Sequence, residues 1–372
     1  MQISRTIIPH PHRFSTSTTD QDTSPDYLIT QVSKKPLGTP LLRKVSEGSY
    51  QVTPKFSLSQ TNSPFGPKTR SHIIPAKHFE QCQVELDQLE NFHIWSDIGR
   101  GSYAVVKFAT QKPSGQKVAI KIYEKSKLSD PLREKSVKNE IKVLKKLNHP
   151  NIVQFISEVS KEKNLYLIME YVKGCSLQAH LQRQRWKRLE EPEAVGIFVQ
   201  FIKALAYCHR VGVVHRDIKL ENVLINNEGV VKVIDFGFAT CCKRGRKTFM
   251  YCGTPNYMAP EIVKKEEYEG FPVDVWAAGV LLYLLVTGGF PFGSNKEAKV
   301  FKNILKNQIV FPEYLSCECK DLIKKMLESE PEKRILAEEV LVHPWVCMKG
   351  RVIWKNLQSN GDNIDVCFEE DE

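Results

Sequence analysis

His215-Arg216-Asp217-Ile218-Lys219-Leu220-Glu221-Asn222 is the stretch on which the reading of this chain turns. Val213 to Asp217 reads as a short strand running into a loop, so the turn that follows carries a carboxylate, an ammonium and an amide close together. A hydroxyl nucleophile needs an acceptor for its proton, and Asp217 can serve. Lys219 can offset charge on a phosphoryl group in motion, and Asn222 offers an oxygen to a metal ion. Further on, a second short strand, Val231 to Phe236, leads into Asp235-Phe236-Gly237 and a second metal-binding carboxylate. Each residue alone has a plain reading, as a turn aspartate, a surface lysine or a capping asparagine. Together, in this order, chance is a poor explanation.

Working upstream, Gly99-x-Gly101 followed by Val106 lies between two expected strands, Phe92 to Trp95 and Val105 to Phe108. Glycines there let the backbone fold over phosphates without side-chain obstruction, although glycine turns between strands are common. Lys121 lies within the apolar strand Lys117 to Ile122, and a lysine so placed must aim its ammonium at an anion or reach from an edge into water. Asp130-Pro131 then reads as an N-cap and first-turn proline, followed by Val137, Ile141, Leu144 and Leu147 at helical spacing. Glu140, one residue before Ile141, is the natural partner for Lys121. Strands are expected over Ile152 to Phe155 and Leu165 to Met169.

After Gly174 helices dominate. Pro192 opens a long one, with Val195, Phe198, Phe201, Ile202 and Leu205 as its buried stripe. Asp274 to Val286 is apolar nearly all round, which indicates a helix buried through the centre of a domain. Further helices fit Lys296–Lys306, Lys320–Leu327 and Ala337–Leu341.

These motifs, with Ala259-Pro260-Glu261, resemble the signature set of eukaryotic-type serine/threonine protein kinases from about Phe92 to Trp345. The resemblance implies an α+β, two-lobed fold with a small β-rich lobe, a larger α-helical lobe and an ATP cleft between them. The boundaries it suggests are a lobe over 91–170, a hinge over 170–174 and a second lobe over 175–346. The implied activity is transfer of the γ-phosphoryl group of ATP, with Mg²⁺, to serine or threonine hydroxyls of protein substrates. By the same resemblance Asp217 is the catalytic base, assisted by Lys219, while Asn222 and Asp235 hold the metal. The nucleotide is contacted by Ile98, Gly99, Arg100, Gly101, Ser102, Tyr103, Ala104, Val105 and Val106, by Ala119, and by Lys121 paired with Glu140. Met169, Glu170, Val172 and Leu224 complete its pocket. Leu144, Phe155, Phe236 and His215 resemble the apolar column that links the lobes of active kinases. Asp274 is expected to anchor the loop backbone, and Arg334 to pair with Glu261.

The sequence departs from the family pattern in places. The third glycine of the phosphate loop is Ala104, whose small methyl group leaves ATP binding intact as an expectation. Lys219 and Gly253-Thr254-Pro255 look like serine/threonine rather than tyrosine kinases, with Thr254 a structural hydroxyl near Asp217 and Lys219. Arg216 suggests dependence on an activation-loop phosphate, but Met250 stands at the usual phosphosite. Either Thr248 takes over, by autophosphorylation or an upstream kinase and helped by Lys243-Arg244-x-Arg246-Lys247, or the loop needs no phosphate. Glu221 favours basic residues in a substrate. Ser176 and Leu284 replace acids common in arginine-directed relatives, so that preference is expected to be weak. His343-Pro344-Trp345 and Leu220-Glu221-Asn222 look like the calmodulin-/AMP-activated group, whereas Cys252 to Tyr257 and Ser176-Leu177 are similar to polo-like domains.

The main rival is a kinase-like fold used for binding only; the complete set Lys121, Glu140, Asp217, Asn222 and Asp235 argues against it. The net charge of +10 could indicate nucleic-acid or membrane binding. The excess resides in residues 91–345, where a cleft for a polyanionic nucleotide accounts for part of it, and no nucleic-acid partner is expected. Residues 1–90, rich in Ser, Thr, Pro and Gln, read as a disordered arm, with Arg43-Lys44-Val45-Ser46 as a possible phosphosite. Arg5 and Arg13 faintly suggest a transit peptide, but an ordinary polar tail is the reading adopted. Residues 347–372 read as an acidic tail, in which Met348 to Leu357 has a little of the character of a calmodulin target. Ten irregularly spaced cysteines read as free thiols in a reducing compartment, hence the cytoplasm or nucleus. The strongest apolar run, Ala277 to Val286, is too short to span a bilayer, and a monomer is expected.

Overall fold

Alternation along Lys117-Val118-Ala119-Ile120-Lys121-Ile122-Tyr123-Glu124 sorts side chains onto two faces of a sheet. In the computed structural model, which describes residues 89–347 except Ser102, this segment is the middle strand of a five-stranded antiparallel sheet. Its strands are β1 (Phe92–Arg100), β2 (Ala104–Gln111), β3 (Lys117–Glu124), β4 (Phe155–Ser160) and β5 (Asn164–Glu170), in the order β1-β2-β3-β5-β4. Val118 and Ile120 join Phe92, Ala109, Val159 and Ile168 in a small cluster on one face. Tyr123, Leu167 and Met169 belong to the main core on the other, and Lys121 shares their face. The expected 1–90 arm up to residue 88, its Ser46 site, and the tail beyond Cys347 with its Met348–Leu357 stretch lie outside the described residues. A 3-10 turn, Leu89–Asn91, opens the described chain.

Helix α1 (Pro131–Lys146) begins as the sequence suggests, with the Asp130 carboxylate accepting from Leu132 N–H at 2.9 Å. It buries Val137, Val143 and Leu144 and, among them, Glu140. The strand expected over Ile152 to Phe155 is displaced. Ile152 forms a single parallel bridge to Val233, and the paired strand β4 starts only at Phe155. A short apolar run can be buried by one bridge as well as by a ladder, and periodicity does not separate the two.

Beyond Glu170 the chain becomes mostly helical. Short strands frame its loops: β6 (Gly174–Ser176), β7 (Val213–Val214), β8 (Val223–Asn226), β9 (Val231–Val233), β10 (Thr240–Cys241), β11 (Lys247–Thr248) and β12 (Tyr268–Glu269). They pair as β6-β8-β9, β7-β10 and β11-β12. The strands expected over 213–217 and 231–236 are therefore shorter, which leaves His215–Asp217 and Ile234–Phe236 in loops held by side chains. The helices are α2 (Leu177–Arg183), α3 (Glu191–Arg210), α4 (Pro260–Val263), α5 (Gly270–Thr287), α6 (Glu297–Lys306), α7 (Cys317–Met326) and α8 (Ala337–Leu341).

Helix α5 runs through the core and ends at Gly288, whose φ of 76° suits glycine and where a Cβ would meet the Lys187 carbonyl at 2.6 Å. By length and composition α5 could cross a membrane, a longer apolar element than Ala277–Val286 alone suggested, but 89% of it is buried inside the protein. Glu191, at the start of α3, ties distant parts together. It accepts from Ser316 N–H at 2.6 Å, from Ser316 Oγ at 2.7 Å and from the Trp345 indole at 2.9 Å. The eight cysteines among the described residues form no disulfide bonds.

Candidate active site

Three elements meet at the face of β3 that carries Lys121. Lys121 Nζ lies 2.8 Å from Glu140 Oε1 on α1 and 2.9 Å from Asp235 Oδ1 in the loop after β9. Burial alone would push this ammonium toward neutrality, but the two carboxylates outweigh it and hold its pKa well above the ordinary lysine value. Lys121 in turn pulls Asp235 down to about 2. Asp235 adopts a left-handed backbone, φ 59°, an uncommon conformation for a residue with a side chain, and one that local packing must impose. The next residue, Phe236, is fully buried and its ring lies 4.9 Å from that of His215. With Leu144 and Phe155, Phe236 belongs to the main core.

The loop after β7 is held from below. Asp274, fully buried on α5, accepts from the backbone N–H groups of His215 and Arg216 at 2.8 Å each and contacts His209 Nε2 at 3.0 Å. Above this anchor both oxygens of the buried Asp217 are engaged. Thr254 Oγ donates to Oδ1 at 2.9 Å; Lys219 Nζ and Asn222 Nδ2 reach Oδ2 at 2.8 and 3.0 Å. Desolvation alone would lower the Lys219 pKa, but Asp217 and, less strongly, Glu221 hold it above its usual value. Asn222 also donates to the Asp217 carbonyl, and its own carbonyl accepts from Ile234 N–H at 2.9 Å, one residue before Asp235. Asp217 and Asn222 thus form one polar cluster and Asp235, Lys121 and Glu140 a second, tied together through the Ile234 N–H bond to the Asn222 carbonyl.

The donor set can be tested against a hard cation. Asn222 spends its amide nitrogen on Asp217, which leaves the amide oxygen as its ligand atom, and the Asp235 side chain is 45% exposed. Among the described residues there is no cluster of three or more His, Cys, Asp or Glu able to hold a metal. Two oxygen donors suit Mg²⁺, which binds through one or two protein groups and fills its other positions with water and phosphate oxygens. The residues fit.

Arg334 on the loop before α8 grips Glu261 of α4 through two contacts of 2.8 and 3.1 Å, both side chains being buried. It also donates to the carbonyls of Glu328 and Pro272 and lies over the Trp276 ring. This clamp fixes the segment that follows Thr254.

The protein kinase domain profile matches residues 92–346. The chain belongs to the protein kinase family. It is similar to the probable serine/threonine-protein kinase MARK-A of Dictyostelium discoideum, 37% identical over 282 residues, which make up 75% of this chain and 26% of that protein. Sperm motility kinase 2B of Mus musculus is 38% identical over 263 residues, 69% of this chain and 53% of the relative. Sperm motility kinase 3A of the same organism is 39% identical over 267 residues, 71% and 51% respectively. The chain thus spans from about a quarter to about half the length of these relatives. Kinases of this family use ATP and Mg²⁺ and act on protein substrates.

In this member of the family the nucleotide residues read from sequence lie along β1, β2, β3, β5, β8 and α1 and the connections beside them. Ile98, 46% exposed, and Val106, paired with Gly99, come from β1 and β2; Ala119 and Met169 are buried neighbours on β3 and β5. Glu170 ends β5, its carboxylate bonded to Lys232 at 2.9 Å; Val172 follows in the connection, and Leu224 lies on β8. Ala104 turns its carbonyl to Gly101 N–H at 2.8 Å, closing the loop between β1 and β2. Arg100 pairs with Asp97 at 3.0 Å. Tyr103, half-buried, has the Arg133 guanidinium of α1 4.2 Å from its ring centre, a cation–π contact. Ser102 lies outside the described residues.

Two further contacts carry no sequence signal of their own. The Tyr123 hydroxyl donates to Glu140 Oε2, and Arg216 donates to the sulfur of Met250 at 2.9 Å. Thr248 lies on β11, and its hydroxyl accepts from Met250 N–H at 3.2 Å. Ser176 caps α2 by accepting from Ala179 N–H, and Leu284 is buried in α5, so neither offers charge to a substrate.

Proposed function

We propose that this chain transfers the γ-phosphoryl group of ATP to serine and threonine hydroxyls of protein substrates. The single observation that supports the reading is the pair of polar clusters Asp217–Asn222 and Asp235–Lys121–Glu140, tied together by the Ile234 N–H bond to the Asn222 carbonyl. When bound, the Mg²⁺–ATP pair supplies the phosphoryl group and neutralises charge on its oxygens. Asn222 Oδ1 and the Asp235 carboxylate would hold the cation, and Lys121 would bind the α- and β-phosphates. Asp217 accepts the substrate hydroxyl proton. Its carboxylate already takes the Thr254 hydroxyl at 2.9 Å, which supports its competence as an acceptor for such a group. Lys219 offsets negative charge beside it. Positioning and electrostatics therefore supply most of the catalysis.

Radiolabelled phosphate transfer from ATP to a generic basic protein tests this, with Asp217→Asn as control. Label incorporated by wild type and lost in the variant is the expected result. A wild type that binds nucleotide but transfers nothing would make the fold a binding scaffold.

Substrate preference follows from what charge remains near the loop. Glu221 is exposed, while Ser176 and Leu284 are committed to structure. A weak preference for basic peptides is the reading this supports, within the calmodulin-/AMP-activated group. Two modes of activation were open: a phosphate on Thr248, or none. The Arg216–Met250 contact favours an activation segment held without phosphate, since the guanidinium that would bind a phosphate already faces the Met250 sulfur.

A further inference from the structure

Glu140 is 1% exposed and carries two oxygens, each of which needs a donor once water is excluded. Lys121 serves Oε1, and the same ammonium is shared with Asp235. Oε2 is served by the Tyr123 hydroxyl. Tyr123 is two residues beyond Lys121 on β3, so the alternation of the strand puts both side chains on the face that meets α1. Its position is rigid: the strand is paired on both sides, to Ala104 on β2 and to Leu165 on β5. The Lys121 ammonium also lies 5.4 Å from the centre of the Tyr123 ring. Burial pushes the phenol pKa well up, so the hydroxyl remains a donor throughout the working range.

We infer that Tyr123 is a positioning residue for phosphate binding, holding Glu140 and with it α1 in the place that aims Lys121 into the cleft. Without the hydroxyl, Oε2 is a buried acceptor lacking a donor, and the cheapest relief is for Glu140 to turn outward and α1 to follow. Lys121 would then keep only Asp235. A tyrosine that merely filled the core would act through its ring, and phenylalanine would replace it without consequence.

The inference rests on Lys121 being the phosphate-binding lysine, and the test separates the two. ATP–Mg²⁺ affinity is measured by displacement of a fluorescent nucleotide for Tyr123→Phe in the wild-type and Glu140→Ala backgrounds, with peptide KM and thermal melts alongside. Loss of a hydrogen bond to a charged group should weaken nucleotide binding about ten-fold in the wild-type background. With Glu140 removed, the same change should matter less than about two-fold, because the acceptor is gone. Peptide KM should stay unchanged. Amide hydrogen exchange gives a second readout that does not depend on the alanine variant folding: residues 131–146 should exchange faster in Tyr123→Phe, with α5 unaffected. Equal losses in both backgrounds, or unaltered exchange along α1, would overturn the inference. A wild type that transfers no phosphate, yet shows the Tyr123–Glu140 coupling, would sink the transferase reading and leave the role of Tyr123 standing.

Discussion

Arg216 presents its guanidinium to the Met250 sulfur at 2.9 Å while its Nε donates to the Phe238 carbonyl at 2.7 Å. One side chain therefore links the loop that carries Asp217 to the segment after Asp235 and to the segment around Met250. The backbone at Arg216 is left-handed, φ 66°, and its N–H is fixed by Asp274, so the origin of this link is held firmly. A thioether is a weak acceptor, and on the proposed reading it stands in for an activation-loop phosphate.

Phosphatase treatment should accordingly change the activity of the wild type by less than about two-fold. Met250→Ala should lower it roughly five-fold, the equivalent of one modest contact. A phosphate found on Thr248 by mass spectrometry, with activity lost on its removal, would refute this.

Asp217→Asn keeps the shape of the side chain and removes its basicity. Steady-state kinetics should show kcat reduced by about 10²- to 10⁴-fold, the usual range for a general base, with KM for ATP little altered. A variant with near wild-type kcat would show that the hydroxyl proton leaves by another route.

Asp235 has its pKa held near 2 by the Lys121 ammonium, below the ordinary aspartate value of about 4. Its contribution to stability is fully present above that ordinary value and is lost as pH falls toward 2. The carboxylate is 45% exposed, so solvent screening limits the effect to about 1 kcal/mol. Denaturant unfolding of wild type and Asp235→Asn between pH 5 and 2 should show a gap that closes at the acid end. A gap that stayed constant would mean that the pair does not titrate as a unit.

Glu261 and Arg334 are buried and joined by two contacts, so removing one partner leaves the other charged and unsatisfied. Arg334→Ala should destabilise the fold by about 3–5 kcal/mol. Chemical denaturation measures this, and a loss below 1 kcal/mol would show that water replaces the arginine.

Ala104 closes the β1–β2 loop through its carbonyl, which glycine also possesses. Ala104→Gly should therefore alter turnover by less than about three-fold, the added backbone freedom costing about 0.5–1 kcal/mol. A rise of orders of magnitude would identify the methyl group as a brake on the phosphate loop.

Much of the site could be read in advance because it depends on local periodicity. Strand alternation sets the face of Lys121, and helical spacing sets Glu140 on the buried side of α1. Asp274 and Arg334 were expected from family likeness, and their contacts have the anticipated form. The displaced strand at Ile152 shows the limit of pattern: its burial was legible, but its pairing partner was not. The Tyr123–Glu140 bond, the Arg216–Met250 contact and the Tyr103–Arg133 stack have no sequence signal for a related reason. A phenol in an apolar strand, a thioether in a loop and a basic residue on an exposed helix face look ordinary until the neighbouring element is in place.

From the sequence alone came the family, the order of strands and then helices, and the residues proposed to bind and move a phosphoryl group. Folding decided which of their atoms were engaged: which oxygen of Glu140 takes which donor, which end of Asn222 is bonded to Asp217, and what occupies Arg216. Residue identities and short spacings are properties of the chain. Hydrogen-bond partners are settled by distances of a few ångströms between segments far apart along it, and only packing fixes those distances.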